Sequence, residues 1–564
     1  MKFGDFKYNR PHLDTMEKEV EELLKEFDSS ENPQEQSRVI EKITEIRNHF
    51  ETMYTLVSIR HSIDTRDSFY EKEQVYMDEN SPRYTNMITK FYSSLVGSQF
   101  KEELSKVWGE QLFRLAELQI KTFSEEIMED LVVENKLSTK YDKLVAAAAI
   151  QFEGQTRNLS QLRPFMESPD RGMRKKAYNA YTSYFEENEE EIGDIYDQLV
   201  KIRDRMAKKL GYENFIQMGY DRMSRSDYNH NMVRNFREQV LQSIVPLASK
   251  IKDRQKKRLL LEELTYYDEP LQFLSGNANP KGGPEWILDK GIKMYKELSS
   301  ETGEFFDFMV ENELLDLLSK EGKRSGGYCT VIPDYKAPFI FSNFNGTSGD
   351  IDVLTHEAGH AFQTYMSMDL ELPEYKFPTL EACEIHSMSM EFLTWPWMES
   401  FFEEGVDKYK YSHLEGAVSF LPYGVTVDEF QHIIYQRPNL TPDERKKVWR
   451  DLEKKYLPFK DYSGNSFLES GGYWMRQGHI FSNPFYYIDY CLAQVCAFQF
   501  WRRSLEDSER AWKDYLELCK AGGSMAFIDL VDLAGLKSPF QDGTVQYAIK
   551  PVKEFLENID DRAL

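Results

Sequence analysis

Cysteine is scarce in this sequence: there are only five among 564 residues, and the five do not follow a zinc-binding spacing. Their scarcity excludes a disulfide-rich secreted scaffold and indicates reduced thiols. The sequence also lacks any run of 18 uncharged apolar residues, so we expect no membrane span. The segment from Met1 to Lys7 lacks the apolar stretch of a secretory signal. Together these absences predict a cytoplasmic protein without a membrane partner.

Basic charge is in the minority, with 70 Lys and Arg against 95 Asp and Glu and a formal net charge of −25. Nucleic-acid binding requires a basic face, so nucleic acid is not an expected partner. The acidic residues are spread along segments such as 17–26 and 186–191, which is typical of solvated helix faces. Hydrophobic residues make up 41% of a chain long enough for two to four domain-sized units, so a large core is possible.

The N-terminal part of the chain is predicted to be helical. Apolar residues recur at helical spacing from Leu13 to Phe27 and again from Val39 to Val57, with a break at Pro33. The pattern continues through 68–134. We interpret residues 1–135 as a helical N-terminal lobe without chemistry of its own and residues 136–564 as a separate catalytic region.

The middle of the chain contains the strand candidates. Residues 144–165 suit either a short β-hairpin or a helix, and helices are predicted over much of 170–264, over 285–299 and over 304–319, with a loop at 265–284. Two β-rich runs, 326–332 and 337–344, surround a turn and predict a small sheet at about 326–345. Its edge either pairs with an extended peptide or only supports the next helix. Ser348 or Asp350 is expected to cap that helix.

The next helix carries the pattern H-E-x-x-H, formed by His356, Glu357 and His360. Residues four apart lie on one face of a helix, so both imidazoles can point at one metal ion, with Glu357 on the neighbouring flank. Zinc suits this set because it accepts neutral imidazole nitrogens and has no redox chemistry. The flanking residues are apolar on most sides, which predicts a buried helix, and buried imidazoles without a partner would be costly.

Catalytic zinc usually has three protein ligands and one open position. The downstream candidates for the third ligand are Glu381, Glu384, His386 and Glu391, all within one predicted helix. Glu384 and Glu391 are two turns apart and share a face. If Glu384 binds zinc, Glu391 can accept a hydrogen bond from a ligand histidine.

A glycine-containing segment near residue 475 is followed by a histidine and three tyrosines: His479, Tyr486, Tyr487 and Tyr490. Tyr490 follows Tyr486 by four residues and Tyr487 by three, so their phenols can line one wall. A phenol O–H aimed at a developing oxyanion stabilises it. The alternative interpretation is that these aromatic residues only pack in the core.

These residues resemble the thimet oligopeptidase and oligoendopeptidase F family of zinc peptidases, and the small size resembles its bacterial Pz-peptidase-like members. The resemblance covers about 140–550. It rests on H-E-x-x-H with a glutamate 24 residues after the second histidine and another seven later, and on the segments 321–328, 343–347 and 478–490. It implies a mainly α fold, a multi-helical ellipsoid with a deep central substrate channel and a small β-sheet beside the zinc-binding helix. By position it implies one Zn²⁺ held by His356, His360 and Glu384, with Glu357 as the base. It assigns His479, Tyr490 and either Tyr486 or Tyr487 to the oxyanion side.

We therefore predict a zinc-dependent oligoendopeptidase that hydrolyses internal bonds of short peptides. One alternative is a metallocarboxypeptidase of similar fold, which would need a basic residue to bind the free carboxylate of its substrate; Arg476 and Arg502 are available. Another alternative is a non-catalytic helical binding scaffold. Glu357 argues against a scaffold, because metal binding alone does not require it.

Overall fold

The computed structural model describes residues 1–564 and is mainly helical, as predicted, with two small sheets. The first helices follow the predicted stripes. Asn32 accepts a hydrogen bond from the backbone N–H of Glu35 at the start of the second helix, and the stripe from Val39 to Val57 is buried. The N-terminal helices are α1 (Leu13–Ser29), α2 (Pro33–Ile63), α3 (Ser68–Gly97), α4 (Lys101–Trp108), α5 (Glu110–Thr122) and α6 (Met128–Ala146).

The next part contains an antiparallel hairpin, β1 (Ile150–Phe152) and β2 (Gln155–Arg157), which confirms the hairpin alternative for this segment. Most of the helices that follow lie within the predicted helical segments, but the helix predicted to reach residue 264 ends at Arg258, and the segment between Arg258 and Pro284 has no helix or strand. These helices are α7 (Leu159–Met166), α8 (Arg171–Glu187), α9 (Glu189–Lys209), α10 (Phe215–Arg222), α11 (His230–Ser243), α12 (Val245–Arg258), α13 (Pro284–Leu298) and α14 (Ser300–Glu311).

The predicted helix over 304–319 is wrong at its C-terminal end. Helix α14 stops at Glu311, Glu313 adopts a left-handed φ of 55°, and the chain continues as strand β3 (Leu315–Leu318). Strand β3 pairs in parallel with β5 (Ala337–Phe344), and β5 pairs antiparallel with β4 (Tyr328–Ile332). The predicted hairpin is therefore confirmed, with β5 in the centre of a three-stranded sheet and β4 at its edge.

The C-terminal half is helical again. Helix α15 (Gly349–Ser367) contains the H-E-x-x-H pattern. The predicted side-chain caps are wrong: Ser348 makes no capping bond, and the Asp350 carboxylate accepts from the backbone N–H groups of Asn345 and Gly346, before the helix. The remaining helices are α16 (Pro373–Lys376), α17 (Leu380–Leu393), α18 (Glu399–Phe402), α19 (Val406–Gln436), α20 (Pro442–Tyr456), α21 (Ser466–Glu469), α22 (His479–Ser482), α23 (Tyr487–Glu506), α24 (Ser508–Ala521), α25 (Phe527–Leu533) and α26 (Thr544–Asn558).

One continuous hydrophobic core extends from Phe6 to Leu556 and includes the N-terminal helices. The backbone also joins the two parts, since Thr65 N–H donates to Gly322 O and Arg324 N–H donates to Ser62 O, both at 2.8 Å. The proposed boundary at residue 135 falls inside α6, and the division into two regions stays a prediction.

No helix is both long and apolar enough to cross a membrane. A polar cavity of about 1090 Å³ lies between α2, α3, α6 and the loop 321–324. None of the predicted metal ligands lines this cavity. A central substrate channel therefore stays a prediction.

Candidate active site

Helix α15 brings His356 and His360 together as the four-residue spacing predicts. Their ring centroids are 5.0 Å apart, and the helix is buried along most of its length. The His360 side chain is 9% exposed to solvent, whereas the His356 side chain is 20% exposed. The two imidazoles therefore face a partly open space from a rigid support.

Gly359, between the two histidines, sets how closely the next functional helix approaches. A Cβ at this position would lie 2.7 Å from Ser387 Cα and 2.8 Å from His386 O on α17. Contacts this short do not occur with a real side chain, so only glycine permits this crossing. The crossing places the first half of α17, including Glu384, beside the histidine pair.

Glu384 completes a group of three possible metal ligands. Its Oε2 lies 3.2 Å from His356 Nε2 and 3.4 Å from His360 Nε2, and the ligand atoms of all three residues lie within 4.8 Å of one another. A tetrahedral zinc ion with bonds of 2.0–2.2 Å separates its ligands by about 3.3–3.6 Å. Two imidazole nitrogens and a carboxylate oxygen at this spacing fit zinc.

The other three candidates for the third ligand lie outside this group. Glu381 is buried near Asp489 and Arg225, and His386 is buried behind Gly359 with both ring nitrogens unpartnered. Glu391 reaches only the far side of the His356 ring. Among the four candidates, Glu384 alone approaches both imidazoles.

Electrostatics keeps Glu384 ionised in spite of its burial. Burial disfavours the charge, but the adjacent imidazoles of His360 and His356 hold the pKa of this carboxyl well below its usual range. Its remaining oxygen is also satisfied: Tyr486 O–H donates to Oε1 at 2.5 Å, and Ser387 O–H donates to Oε2 at 2.9 Å. The carboxylate is thus held in one orientation.

A chain of hydrogen bonds behind His356 fixes the orientation of its ring. The indole N–H of Trp395 lies 3.2 Å from His413 Nδ1, and an indole can only donate, so His413 carries its proton on Nε2. That N–H donates to Glu391 Oε2 at 2.8 Å, and His356 Nδ1–H donates to Glu391 Oε1 at 2.7 Å. His356 Nε2 faces Glu384 Oε2 at 3.2 Å, and the Glu384 and Glu391 carboxylates raise the pKa of the imidazole in spite of its burial. A metal ion bound at Nε2 would take the place of the proton there.

The hydrogen bond between Glu391 and His356 agrees with the prediction, whereas the sequence analysis does not predict the contacts of His413 and Trp395. His413 lies 57 positions after His356 on α19, and no local spacing connects the two residues. The only signal in the sequence is that histidine is rare, with ten residues in the whole chain.

We expect Glu391→Gln to weaken zinc binding by about 10- to 100-fold, as for other partners of ligand histidines. A carboxylate accepts two N–H groups at once, whereas an amide offers one acceptor and one N–H that opposes the second donor. Equilibrium competition with a chromophoric chelator measures the change. Glu399→Gln is the control, because Glu399 is an exposed carboxylate a few residues after the end of α17. An unchanged zinc affinity would remove Glu391 from this role.

Glu357 differs from the other carboxylates of the site because it has no hydrogen-bond partner on its buried Oε2. It is 7% exposed, and burial raises its pKa, although His356 and His360 act in the opposite direction. The turn before β4 passes directly over it, since a Cβ on Gly327 would lie 3.4 Å from Glu357 Oε1. The buried Oε2 therefore keeps an unused capacity to accept a hydrogen bond.

The second wall of the site is built from α22 and the start of α23. His479 Nε2 lies 3.2 Å from the Tyr490 oxygen, and Gln477 Nε2 lies 2.7 Å from His479 Nδ1. Burial lowers the pKa of His479 to about 4, so the ring is neutral at pH 7. The Tyr486 and Tyr490 rings are 4.9 Å apart.

The structure separates the two adjacent tyrosines that sequence analysis left open. The Tyr486 hydroxyl contacts Glu384, whereas the Tyr487 ring packs against Phe420 and Tyr423 on α19. Tyr486 therefore lies beside Glu384, and Tyr487 lies on the adjoining aromatic surface.

Comparison with known proteins gives consistent matches along the chain. Residues 3–123 match the peptidase M3 N-terminal domain, and residues 164–275 and 277–548 match peptidase family M3. Oligopeptidase PepF of Bacillus subtilis strain 168 is 24% identical over 549 residues, which cover 90% of this chain and 78% of PepF. A solved structure of Pz peptidase A with an inhibitor is 55% identical over the full length of both chains, with a TM-score of 0.99. A Bacillus anthracis protein described as an oligoendopeptidase F is 53% identical over 100% of this chain and 99% of its own, with a TM-score of 0.94.

Proposed function

Because the chain belongs to peptidase family M3 and is an oligoendopeptidase F-like metalloendopeptidase, we propose that it is a zinc-dependent enzyme that cleaves internal bonds of short peptides. One observation supports this proposal most strongly. The buried Glu357 carboxylate, without a partner of its own, lies one residue from the first of three side chains that fit a zinc ion. A scaffold that only binds metal has no use for such a carboxylate.

We assign the metal to His356 Nε2, His360 Nε2 and Glu384 Oε2. Zinc bound there supplies Lewis acidity, which lowers the pKa of water toward about 7 and polarises a carbonyl group. Glu391 and His413 orient His356, and Tyr486 and Ser387 orient Glu384.

Glu357 acts as the general base and then as the general acid. Its carboxylate accepts a proton from the water that attacks the scissile carbonyl carbon, and it later transfers that proton to the leaving amine nitrogen. Burial supports both steps, because a carboxyl with a raised pKa is a stronger base and holds the proton until the amine departs.

Tyr490 is the donor to the developing oxyanion. His479 is neutral, and its Nδ1 faces the Gln477 amide, so its Nε2–H donates to the Tyr490 oxygen. The phenol proton of Tyr490 is then free to donate outward. Tyr486 already gives its proton to Glu384 and therefore acts mainly on the ligand carboxylate.

We expect Tyr490→Phe to lower kcat by about 10²- to 10³-fold with little change in KM, because the phenol donates only as the oxyanion forms. Steady-state kinetics on a quenched peptide measures kcat and KM separately. Tyr487→Phe is the matched control, since it removes a neighbouring phenol that does not reach the metal ligands. A kcat near that of the unmodified enzyme would show that Tyr490 is not the donor.

The proposal is tested with a short peptide blocked at both ends. We expect cleavage at an internal bond, complete loss of cleavage with a chelator, and recovery on addition of zinc. A carboxypeptidase would leave the doubly blocked peptide intact and cleave only its free-acid form. Absence of zinc-dependent cleavage of both peptides would contradict peptidase activity of this site.

We also propose a cytoplasmic location. All five cysteines are free in the structure, which is typical of a reducing compartment.

A further inference from the structure

Arg476 is unusual among the arginines of the protein interior. Seven arginines are less than one-tenth exposed, and each one has a carboxylate partner. The pairs are Arg47–Glu374, Arg174–Asp268, Arg203–Glu134, Arg225–Asp489, Arg237–Asp428, Arg258–Glu415 and Arg445–Asp197. Arg476 is only partly exposed, yet no carboxylate oxygen lies within 4.0 Å of its guanidinium nitrogens, and its nearest titratable neighbours are tyrosines. Its positive charge is therefore not neutralised within the chain.

The guanidinium lies among four tyrosines from three different elements. It stacks on the Tyr473 ring, 4.4 Å from the ring centroid, and Tyr178 and Tyr181 on α8 and Tyr423 on α19 lie near it. Aromatic rings favour a cation but do not neutralise it. Tyr181, Tyr423 and Arg476 are all partly exposed, so the guanidinium borders a space that solvent reaches.

An aromatic surface connects this position to the metal ligands. Ring centroids are 5.7 Å apart between Tyr423 and Tyr487, 5.4 Å between Tyr487 and Tyr490, and 4.9 Å between Tyr490 and Tyr486. Gln477, the residue after Arg476, also accepts a hydrogen bond from Tyr423 O–H at 2.8 Å and contacts His479. Arg476 thus belongs to the same wall as the proposed oxyanion donor.

We propose that Arg476 is a specificity-determining residue that binds a carboxylate of the peptide substrate, either the free C-terminus or an Asp or Glu side chain. The inference rests on the proposed function and adds the chemical class of the preferred substrate. A guanidinium matches a carboxylate with two parallel N–H···O bonds, and the surrounding tyrosine hydroxyls supply further donors.

The position of Arg476 limits how far the carboxylate lies from the cleaved bond. Arg476 and His479 are three residues apart, so their Cα atoms are separated by at most about 11 Å, and an extended peptide spans about 3.3–3.6 Å per residue. The carboxylate therefore belongs to a residue only a few positions from the scissile bond. We therefore expect the enzyme to favour two kinds of short peptide: those whose C-terminus lies a few residues from the cleaved bond, and those with an Asp or Glu at that distance.

The experiment compares three forms of one quenched peptide: the free acid, the C-terminal amide, and amides in which a single Glu replaces each residue near the cleaved bond in turn. Each form is assayed with the zinc-loaded unmodified enzyme, Arg476→Gln, Arg476→Lys and Arg502→Gln. Arg502 is the matched control, because its guanidinium already pairs with Glu506 at 3.1 Å and stacks on Tyr547. Zinc content and melting temperature verify that each variant is folded.

We expect the unmodified enzyme to cleave a carboxylate-bearing form about 10- to 100-fold more efficiently in kcat/KM than the plain amide, mainly through KM. Arg476→Gln should abolish this preference while still cleaving the amide, Arg476→Lys should retain part of it, and Arg502→Gln should retain it fully. A preference for the free acid assigns the C-terminus as the bound group, and a preference for a Glu-containing amide assigns the side chain.

Two outcomes would overturn the inference: an unmodified enzyme that is indifferent to every carboxylate, or an Arg476→Gln variant that loses the same factor on all peptides. The second outcome would indicate a structural role. Failure of the proposed function is distinct, because then none of the peptides would show zinc-dependent cleavage.

Discussion

Glu357→Gln is expected to reduce turnover by about 10²- to 10⁴-fold while zinc content and fold stay unchanged. The amide has the same shape and fits beneath Gly327, and no hydrogen bond to Oε2 within the chain is lost. The substitution removes the ability to accept a proton. Glu357 is proposed to accept a proton from the attacking water and then to pass it to the leaving amine, so both steps should be affected. The effect should therefore lie at the upper end of this range and appear in kcat.

The matched control for this substitution is Glu381→Gln. Glu381 is a buried carboxyl on α17 whose pKa is raised to about 8 by burial and by the charge of Asp489, so it is largely protonated at pH 7. A neutral amide of equal size should change activity little. An active Glu357→Gln enzyme, free of contaminating peptidase, would refute the assignment of the base.

His356→Ala is expected to abolish stoichiometric zinc binding and, with it, turnover. The substitution removes one of three ligands and the hydrogen bond to Glu391, so two acidic side chains face the vacated space without an intervening ring. Breaking a buried ion pair in this way typically costs about 3–5 kcal/mol, so the metal-free protein should also melt at a lower temperature.

Elemental analysis after gel filtration measures the zinc content of this variant, and calorimetry measures its stability. His49→Ala is a suitable control, because His49 is an exposed histidine on α2 paired only with Asp334. If His356→Ala retained one zinc per chain, the ligand set would have to be reassigned.

The parts of this site that sequence alone predicted are those that depend on local geometry. The pairing of His356 and His360 follows from helical periodicity, which needs no knowledge of tertiary structure. The third ligand was different, because four acidic or imidazole side chains on α17 were equally possible from spacing alone. The crossing of α15 and α17 at Gly359 places Glu384, and none of the other three, beside both imidazoles, whereas in the sequence only the resemblance to a known family favours Glu384.

Long-range contacts account for what sequence analysis missed. His413 on α19 reaches Glu391 on α17 across the fold, and Trp395, which follows α17, donates to His413 and not to Glu391. The sequence predicts helix across β3 because a four-residue strand with the sequence Leu-Asp-Leu-Leu is too short to show a clear period, and its partner β5 comes more than 20 residues later. Parallel pairing of this kind leaves no turn signal in the sequence.

Gly359 also bears on how this centre could be transferred to another protein. Grafting residues 349–367 onto a designed bundle would reproduce the two imidazoles, but the graft would acquire the third ligand only if a second helix crossed at the same small residue. The five-letter motif thus understates what must be copied, since one of its two variable letters is fixed by the neighbouring helix. A design of an artificial hydrolase on this plan should specify the helix crossing first and place the ligands on it afterwards.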